Sequence, residues 1–132
     1  MLLPWVRKRL LDDPKRLGRW GQRRCERFLQ RSGCRTIARN YAFRGGELDL
    51  VMADKDGTLV FVEVKTRRHE EFATAKSAVN FDKQQKLTRT AKRFLKDFDV
   101  SDRPLRFDVL TVILGQTGTP VINHYPSAFI PR

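Results

Sequence analysis

Asp49, Glu63 and Lys65 are the residues of this chain whose types and spacing could do chemistry together. Asp49 belongs to a stretch in which Leu48, Leu50 and Met52 alternate with Glu47, Asp49 and Val51. Glu63 and Lys65 end the run Leu59-Val-Phe-Val-Glu-Val-Lys65. Both stretches read as strands, and Lys55-Asp56-Gly57 between them reads as a hairpin turn. A three-residue loop with Gly57 left-handed, as in a G1 bulge, makes Asp54 and Thr58 the closing pair. Paired positions then sum to 112, which sets Asp49 opposite Glu63 and Glu47 opposite Lys65. Opposed side chains share a face with Cβ atoms about 5 Å apart, and residues two apart on one strand share it too. Glu47, Asp49, Glu63 and Lys65 are therefore expected to converge, unless a one-residue slip turns Asp49 to the other face.

Carboxylates side by side repel each other unless a cation lies between them. Mg2+ is a hard ion held by one or two carboxylates together with waters and phosphate oxygens, and it suits such a pair. A metal there polarises a phosphodiester and lowers the pKa of an attacking water. Lys65 can orient that water or stabilise charge in the transition state. The other reading is a surface ion-pair cluster of Lys65 and Arg67 with Glu47, Asp49 and Glu63, which would add little stability. Against it, these charges interrupt strands that are otherwise apolar.

Positioning such a site takes a sheet with helices packed on it. The pattern over about 18–31 is helical, with Gly21, Cys25, Phe28 and Leu29 three and four apart. Gly33 stands where a helix C-terminal glycine is expected. Residues 35–43 read as a first strand, stopped by Gly45-Gly46. A helix is expected over about 82–98, with Leu87, Ala91, Phe94, Leu95 and Phe98 on its apolar face. A buried strand over 105–114 and a short last strand over 120–125 follow. Residues 1–17, with Pro4 and Pro14, read as an irregular basic arm ahead of a single domain of 18–132. The order αβββαβ, with an optional last strand, predicts an α/β fold: a mixed sheet of about four to five strands flanked by helices.

At 132 residues and 40% hydrophobic content the chain is one globular domain, not a disordered one. Its 27 Lys and Arg against 15 Asp and Glu leave a net +12. A domain this basic attracts phosphates, on nucleic acid or on an anionic membrane surface. No apolar run approaches the ~18 residues that span a bilayer, and the apolar-then-basic order of the first residues is the reverse of a secretory signal. Cys25 and Cys34 form no CxxC pair or Cys/His cluster, so zinc is not expected. Free thiols in a reducing cytosol are expected, and a cytoplasmic location with them. Lys86, Arg89, Arg93 and Lys96 make a basic stripe on the second helix, with Lys83 adding to its charge. Such faces are often merely solvated, but here the stripe is the best candidate for tracking phosphates. Arg67 and Arg68 could hold the scissile strand. Asp108 beside Arg106 reads as a paired carboxylate buttressing the sheet, and His69 and His124 read as isolated.

Asp49 followed across a hairpin by Glu63-Val64-Lys65 resembles the D…ExK core of the PD-(D/E)xK nuclease superfamily. Gly18…Gly21, Gly46-Glu-Leu-Asp-Leu50, Val60-Phe-Val-Glu-Val-Lys-Thr-Arg67, Arg106-Phe-Asp-Val109 and Ala128-Phe129 together resemble the YraN family of predicted endonuclease-like proteins, over about residues 18–130. That resemblance implies a restriction-endonuclease-like fold close to that of Holliday-junction resolvases. It implies Asp49, Glu63 and the Val64 carbonyl as ligands of Mg2+ or Mn2+, and Lys65 as the catalytic lysine. Lys83 and Gln85 fall where nucleases of the superfamily place a further polar residue. The superfamily's Pro before the Asp is Leu48 here. Where the family carries Glu after the second glycine of its first helix, this chain has Gln22, which offers an oxygen but no charge. Glu26, one turn on, is the other candidate for a third acidic group. The reading is a metal-dependent endonuclease, a hydrolase that binds DNA in preference to RNA, with branched or damaged DNA among its candidate substrates. The alternative is a non-catalytic nucleic-acid-binding or adaptor protein on the same fold. No membrane role is expected, and a homodimer is left open.

Overall fold

The computed structural model describes residues 2–69, 79–115 and 119–130. Along the chain come α1 (Pro4–Asp12), α2 (Pro14–Arg31), β1 (Arg35–Phe43), β2 (Gly46–Ala53), β3 (Leu59–Arg67), α3 (Phe81–Asp97), β4 (Leu105–Ile113) and β5 (Val121–Phe129). Residues 4–12 are thus a helix rather than an irregular arm, and α2 begins at Pro14 instead of near residue 18. The prolines read as disruptive stand at helix starts, where a missing N–H costs no hydrogen bond and φ is already helical. Asp13 between them caps α2, its carboxylate accepting the Arg16 amide at 3.2 Å. At the other end, left-handed Gly33 (φ +101°) stops α2, and the Cys34 amide donates back to the Leu29 carbonyl at 3.0 Å.

The five strands form one sheet in the order β1-β2-β3-β4-β5, parallel between β3 and β4 and antiparallel elsewhere. This is the mixed α/β architecture expected from the element order. Arg44 and Gly45 join β1 to β2, both at positive φ (45° and 80°), as a two-residue type I′ turn requires. Between β2 and β3 the Gly57 turn is as read: Gly57 lies at φ +88°, and the Asp54 amide donates to the Thr58 carbonyl at 2.9 Å. The register is also as read, from Ala53↔Leu59 to Leu50↔Val62.

β3 is buried on both faces, which explains its unbroken apolar run. Leu59 and Phe61 pack with Leu87, Ala91 and Phe94 of α3, whereas Val60 and Val62 pack with Cys25 and Leu29 of α2. Each such Phe or Leu contributes about 1.5–3 kcal/mol on burial. Two glycines bring the helices close to the strands. A Cβ on Gly21 of α2 would lie 1.9 Å from Thr66 Oγ1, and one on Gly46 of β2 would lie 2.1 Å from Thr90 Oγ1 of α3.

The last strand runs to Phe129, beyond the expected 125. Asp108 accounts for the extension, and it also corrects the view of His124 as isolated. Asp108 is 1% exposed and lies 2.7 Å from His124 Nε2; it accepts the Ser127 amide at 3.0 Å and the Arg106 Nε–H at 3.1 Å. A bulge opposite Asp108 lets β5 bend over it. The Arg106–Asp108 pair is the sheet buttress that the sequence suggests. Among the described residues, no helix is long and apolar enough to cross a membrane.

Candidate active site

The β2–β3 ladder ends at Leu50↔Val62, just before the acidic residues. Leu48 packs into the α3 core while Leu50 packs into the α2 core, although two such positions share a face in a regular strand. The strand therefore turns at Asp49. Asp49 does not sit cross-strand in the ladder from Glu63, nor Glu47 from Lys65. Instead the Asp49 carboxylate enters the gap where β2 leaves β3, and its Oδ2 accepts the Val64 amide at 2.7 Å. In a strand, N–H and C=O of one residue point to the same edge. The Val64 carbonyl therefore faces the same gap as its amide.

Glu63 is 6% exposed, and two lysines share one of its oxygens. Lys83 Nζ of α3 lies 2.7 Å from Oε1 and Lys65 Nζ lies 3.2 Å from it. The N-cap Asn80, accepting the Lys83 amide at 2.9 Å, and Gly46 under α3 together set the helix start that delivers Lys83. Burial pushes the Asp49 carboxyl up to about 7, with the Glu63 charge adding to the rise and the Val64 N–H opposing it. Burial, and then the adjacent Lys83 cation, hold Lys65 below the ordinary lysine range against the pull of Glu63. Burial acts most strongly on Lys83 and would lower it, but the hydrogen bonds to Glu63 and Lys65 and the charges of Glu63 and Asp49 together leave it above the ordinary range.

Two clefts meet at Asp49. One, of about 620 Å³, lies between the β1–β2 turn and α3; Glu47, Asp49, Glu63, Lys83 and Lys86 line it. The other, of about 310 Å³, lies against α2; Gly18, Gln22, Asp49, Lys65 and Arg67 line it. The fold thus brings Asp49, Glu63, Val64, Lys65 and Lys83 together, with Glu47, Gln22, Lys86 and Arg67 on the rims. Glu26 is elsewhere: its carboxylate is held by Arg39 at 2.7 Å and by the Thr36 hydroxyl at 2.6 Å. Gln22 itself donates to Asn40 Oδ1 at 3.0 Å. Arg68, Arg89, Arg93 and Lys96 are exposed, and Arg93 is paired with Asp97 at 2.9 Å. The sequence reading places Lys83 on a basic face and, through the resemblance, near the site, but does not give its direct bond to Glu63. It also misses the part of α2 before residue 18, whose Pro14 and Leu17 wall the second cleft.

Among the described residues, no three His, Cys, Asp or Glu side chains form a metal cage. What the site offers is two carboxylates and a carbonyl, all hard oxygen donors. Mg2+ and Mn2+ suit that set, because they keep waters and share their coordination with phosphate. The Val64 amide approaches Asp49 at Oδ2, and both lysines approach Glu63 at Oε1. The donors fit a hard divalent cation, provided Lys83 gives up part of its hold on Glu63.

A two-carboxylate, two-lysine centre at the diverging edge of a mixed sheet defines the class of the protein: an α/β domain with a basic surface and an acidic, oxygen-lined cleft. Residues 21–112 match the uncharacterised protein family UPF0102, and the chain belongs to that family. It is 38% identical to a UPF0102 protein of Pelotomaculum thermopropionicum over 91% of this chain and 100% of the relative. It is 41% identical to one from Nocardia farcinica over 90% and 93% of the respective chains. It is 45% identical to another from Symbiobacterium thermophilum over 79% and 87%. Among solved structures, that of Pyrococcus furiosus SfsA in complex with Ca2+ superposes with a TM-score of 0.43 at 14% identity, over 86% of this chain and 64% of that one.

Proposed function

We propose that this protein is a Mg2+- or Mn2+-dependent endonuclease that hydrolyses phosphodiesters of DNA, in the cytoplasm. The observation that carries the reading is the meeting of Asp49, Glu63 and Lys65 in one partly buried gap, where burial and the Glu63 charge push Asp49 up to about 7. A bound metal would supply Lewis acidity at the phosphodiester and a more acidic water. Asp49, Glu63 and the Val64 carbonyl would hold it, with Glu47 at the rim. Lys65 orients the water or meets the developing charge, and burial and the Lys83 cation hold it below the ordinary lysine range. Arg67, Arg68, Lys86, Arg89, Arg93 and Lys96 supply phosphate contacts.

Cleavage of single-stranded, duplex, flap and four-way-junction DNA, with and without Mn2+, tests the proposal, with RNA as the comparison. Lys65→Ala is expected to lower turnover about 100-fold, as loss of a group acting in the transition state does. It should change affinity by less than about 2-fold, because one cation among many carries little of the binding. A Lys65→Ala variant that cleaves as well as wild type removes the assignment.

One observation favours a second reading, a non-catalytic nucleic-acid-binding or adaptor protein. Glu63 is already neutralised by Lys65 and Lys83, and Gln22 brings no third charge. A wild type that binds every substrate and cuts none supports this reading. Activity gained by Gln22→Glu would then show that the missing acid is the defect.

A further inference from the structure

α2 carries a ladder of cations at steps of four: Lys15, Arg19, Arg23, Arg27 and Arg31. With Arg16 and Arg24 this makes seven cations against the single Glu26, so α2 holds net +6 of the whole chain's +12. Like charges four apart repel on a helix, and cations in a first turn with no acid oppose the helix dipole. Local relief among the described residues is confined to Asp13, which caps the helix and lies 3.9 Å from Arg16. Among the described residues, Arg19, Arg23 and Arg27 have no acidic partner, because Glu26 is spent on Arg39. Folding alone would not select this arrangement.

Arg19, Arg23 and Arg27 line one side of a groove of about 490 Å³ whose other wall is Arg39 and Asn40 of β1, with Glu26, neutralised by Arg39, and Gln30 between them. Gln22 lines both this groove and the α2-side cleft that contains Asp49 and Lys65. The two cavities therefore adjoin at Gln22, whose amide spans from α2 to Asn40 of β1 at 3.0 Å. A second observation marks the junction independently. Gly18 sits inside α2, where glycine weakens a helix, yet it has no packing reason to be glycine: a Cβ there would meet nothing within 4 Å. Gly21 contrasts with it, since its Cβ would strike Thr66. Gly18 lines the cleft beside Asp49. A bare backbone facing an open cleft leaves room for a ligand's own backbone to approach closely.

We propose that the groove between α2 and β1 is a second phosphate-binding surface, which carries a nucleic-acid strand away from the Asp49 site across Gly18 and Gln22 and along Arg19, Arg23 and Arg27. The inference rests on the nucleic-acid reading above and adds a direction to it. One strand enters over α3 and the α3-side cleft, passes Asp49, and leaves over α2.

The test is fluorescence anisotropy with a labelled single strand and with the same strand in duplex, at salt from about 50 to about 200 mM. The variant Arg19→Gln/Arg23→Gln/Arg27→Gln should bind at least about tenfold more weakly, with a log–log salt slope shallower by about 2 to 3, near 0.7–0.9 for each phosphate no longer neutralised. Arg19→Lys/Arg23→Lys/Arg27→Lys should keep the slope. Gly18→Gln should raise the melting temperature by restoring helix propensity while weakening binding by blocking the path. The comparison set is Lys86→Gln/Arg89→Gln/Lys96→Gln on α3. If wild type binds neither probe, the nucleic-acid reading fails and takes the groove with it. If wild type binds and the α3 set weakens binding, while the α2 set leaves affinity and slope unchanged, only the groove is overturned. Gly18→Gln binding as tightly as wild type would overturn the passage across Gly18.

Discussion

At the scale of single residues, Asp49 holds the most information. Its position in the gap between β2 and β3 lets it accept the Val64 amide, but burial and the neighbouring Glu63 disfavour its charge. The native carboxyl titrates near 7, above its ordinary value of 3.8, so between those limits the folded chain holds a proton that the unfolded chain has released. Stability from this group is therefore full below about pH 4 and is lost as the pH rises through about 7. Asp49→Asn can still accept the Val64 amide and has no charge to desolvate. Without metal, its melting temperature should exceed that of wild type at about pH 8, with the difference closing towards pH 4. Glu63, Glu47 and Lys83 also face Asp49, so the closing is read against a Glu47→Gln control. Added Mn2+ should reverse the order at about pH 8. A ligand that binds only the native state raises its stability, and the neutral amide of the variant offers no charge to hold the cation. A difference that stays constant across this range would remove the burial argument. Asp49 is legible as a candidate because Gly57 pins the hairpin register. Its turn into the gap is not legible, because the Leu48–Leu50 face switch depends on where β2 leaves β3.

Elements place the site through close contacts and polar anchors. Gly21 allows α2 to lie on β3 and Gly46 allows α3 to lie over β2. Thr66 is β-branched and stiff at χ1, so it cannot simply rotate out of the way of a new methyl group. Gly21→Ala should therefore cost about 1–3 kcal/mol in urea unfolding, although alanine is the better helix former. Gly21→Ala/Thr66→Ala should recover part of that loss, as coupling between contacting residues requires. Additive losses in the two single variants would show that the contact is not what limits the approach. The β5 anchor is the other case. Burial acts to raise Asp108, but His124, the Ser127 amide and Arg106 together leave it below the ordinary carboxylate range. Asp108→Ala should cost about 3 kcal/mol, and amides of residues 121–129 should exchange first. Equal protection of β5 in variant and wild type would argue against the anchor. Strand patterns and the α3 stripe can be read locally, and the structure agrees with those readings to within a residue or so, apart from the end of β5. The partners of His124, Lys83 and Glu26 cannot, because each meets its partner from another element. At the N-terminus the same two prolines fit an irregular arm or two helix starts, and only Leu10 packing inside decides for the helix.

Over the whole molecule, positive charge surrounds an acidic gap. The +12 net charge is spread over α2, the Arg67–Arg68 segment and α3, while Asp49, Glu63 and Glu47 lie between them. Such a distribution attracts a polyanion from any direction, but it would repel phosphates at the centre unless the lysines or a metal offset the carboxylates. The sequence shows no base-reading motif, so contacts are expected to fall on phosphate and sugar. Affinity should then be nearly independent of base sequence and governed by counterion release. If about six phosphates are neutralised, the affinity of wild type should fall about 10³-fold between about 50 and about 200 mM salt. Randomised and fixed oligonucleotides should differ by less than about 1.4 kcal/mol, a tenfold ratio. Isothermal titration or anisotropy across that salt range, with and without Mn2+, measures both. Mn2+ should strengthen binding only where Asp49 and Glu63 are intact, since a cation in the gap converts the one repulsive part of the surface into an attractive one. A flat salt dependence would overturn the electrostatic account. A steep dependence with no Mn2+ effect would keep the basic surface and remove the metal from the centre.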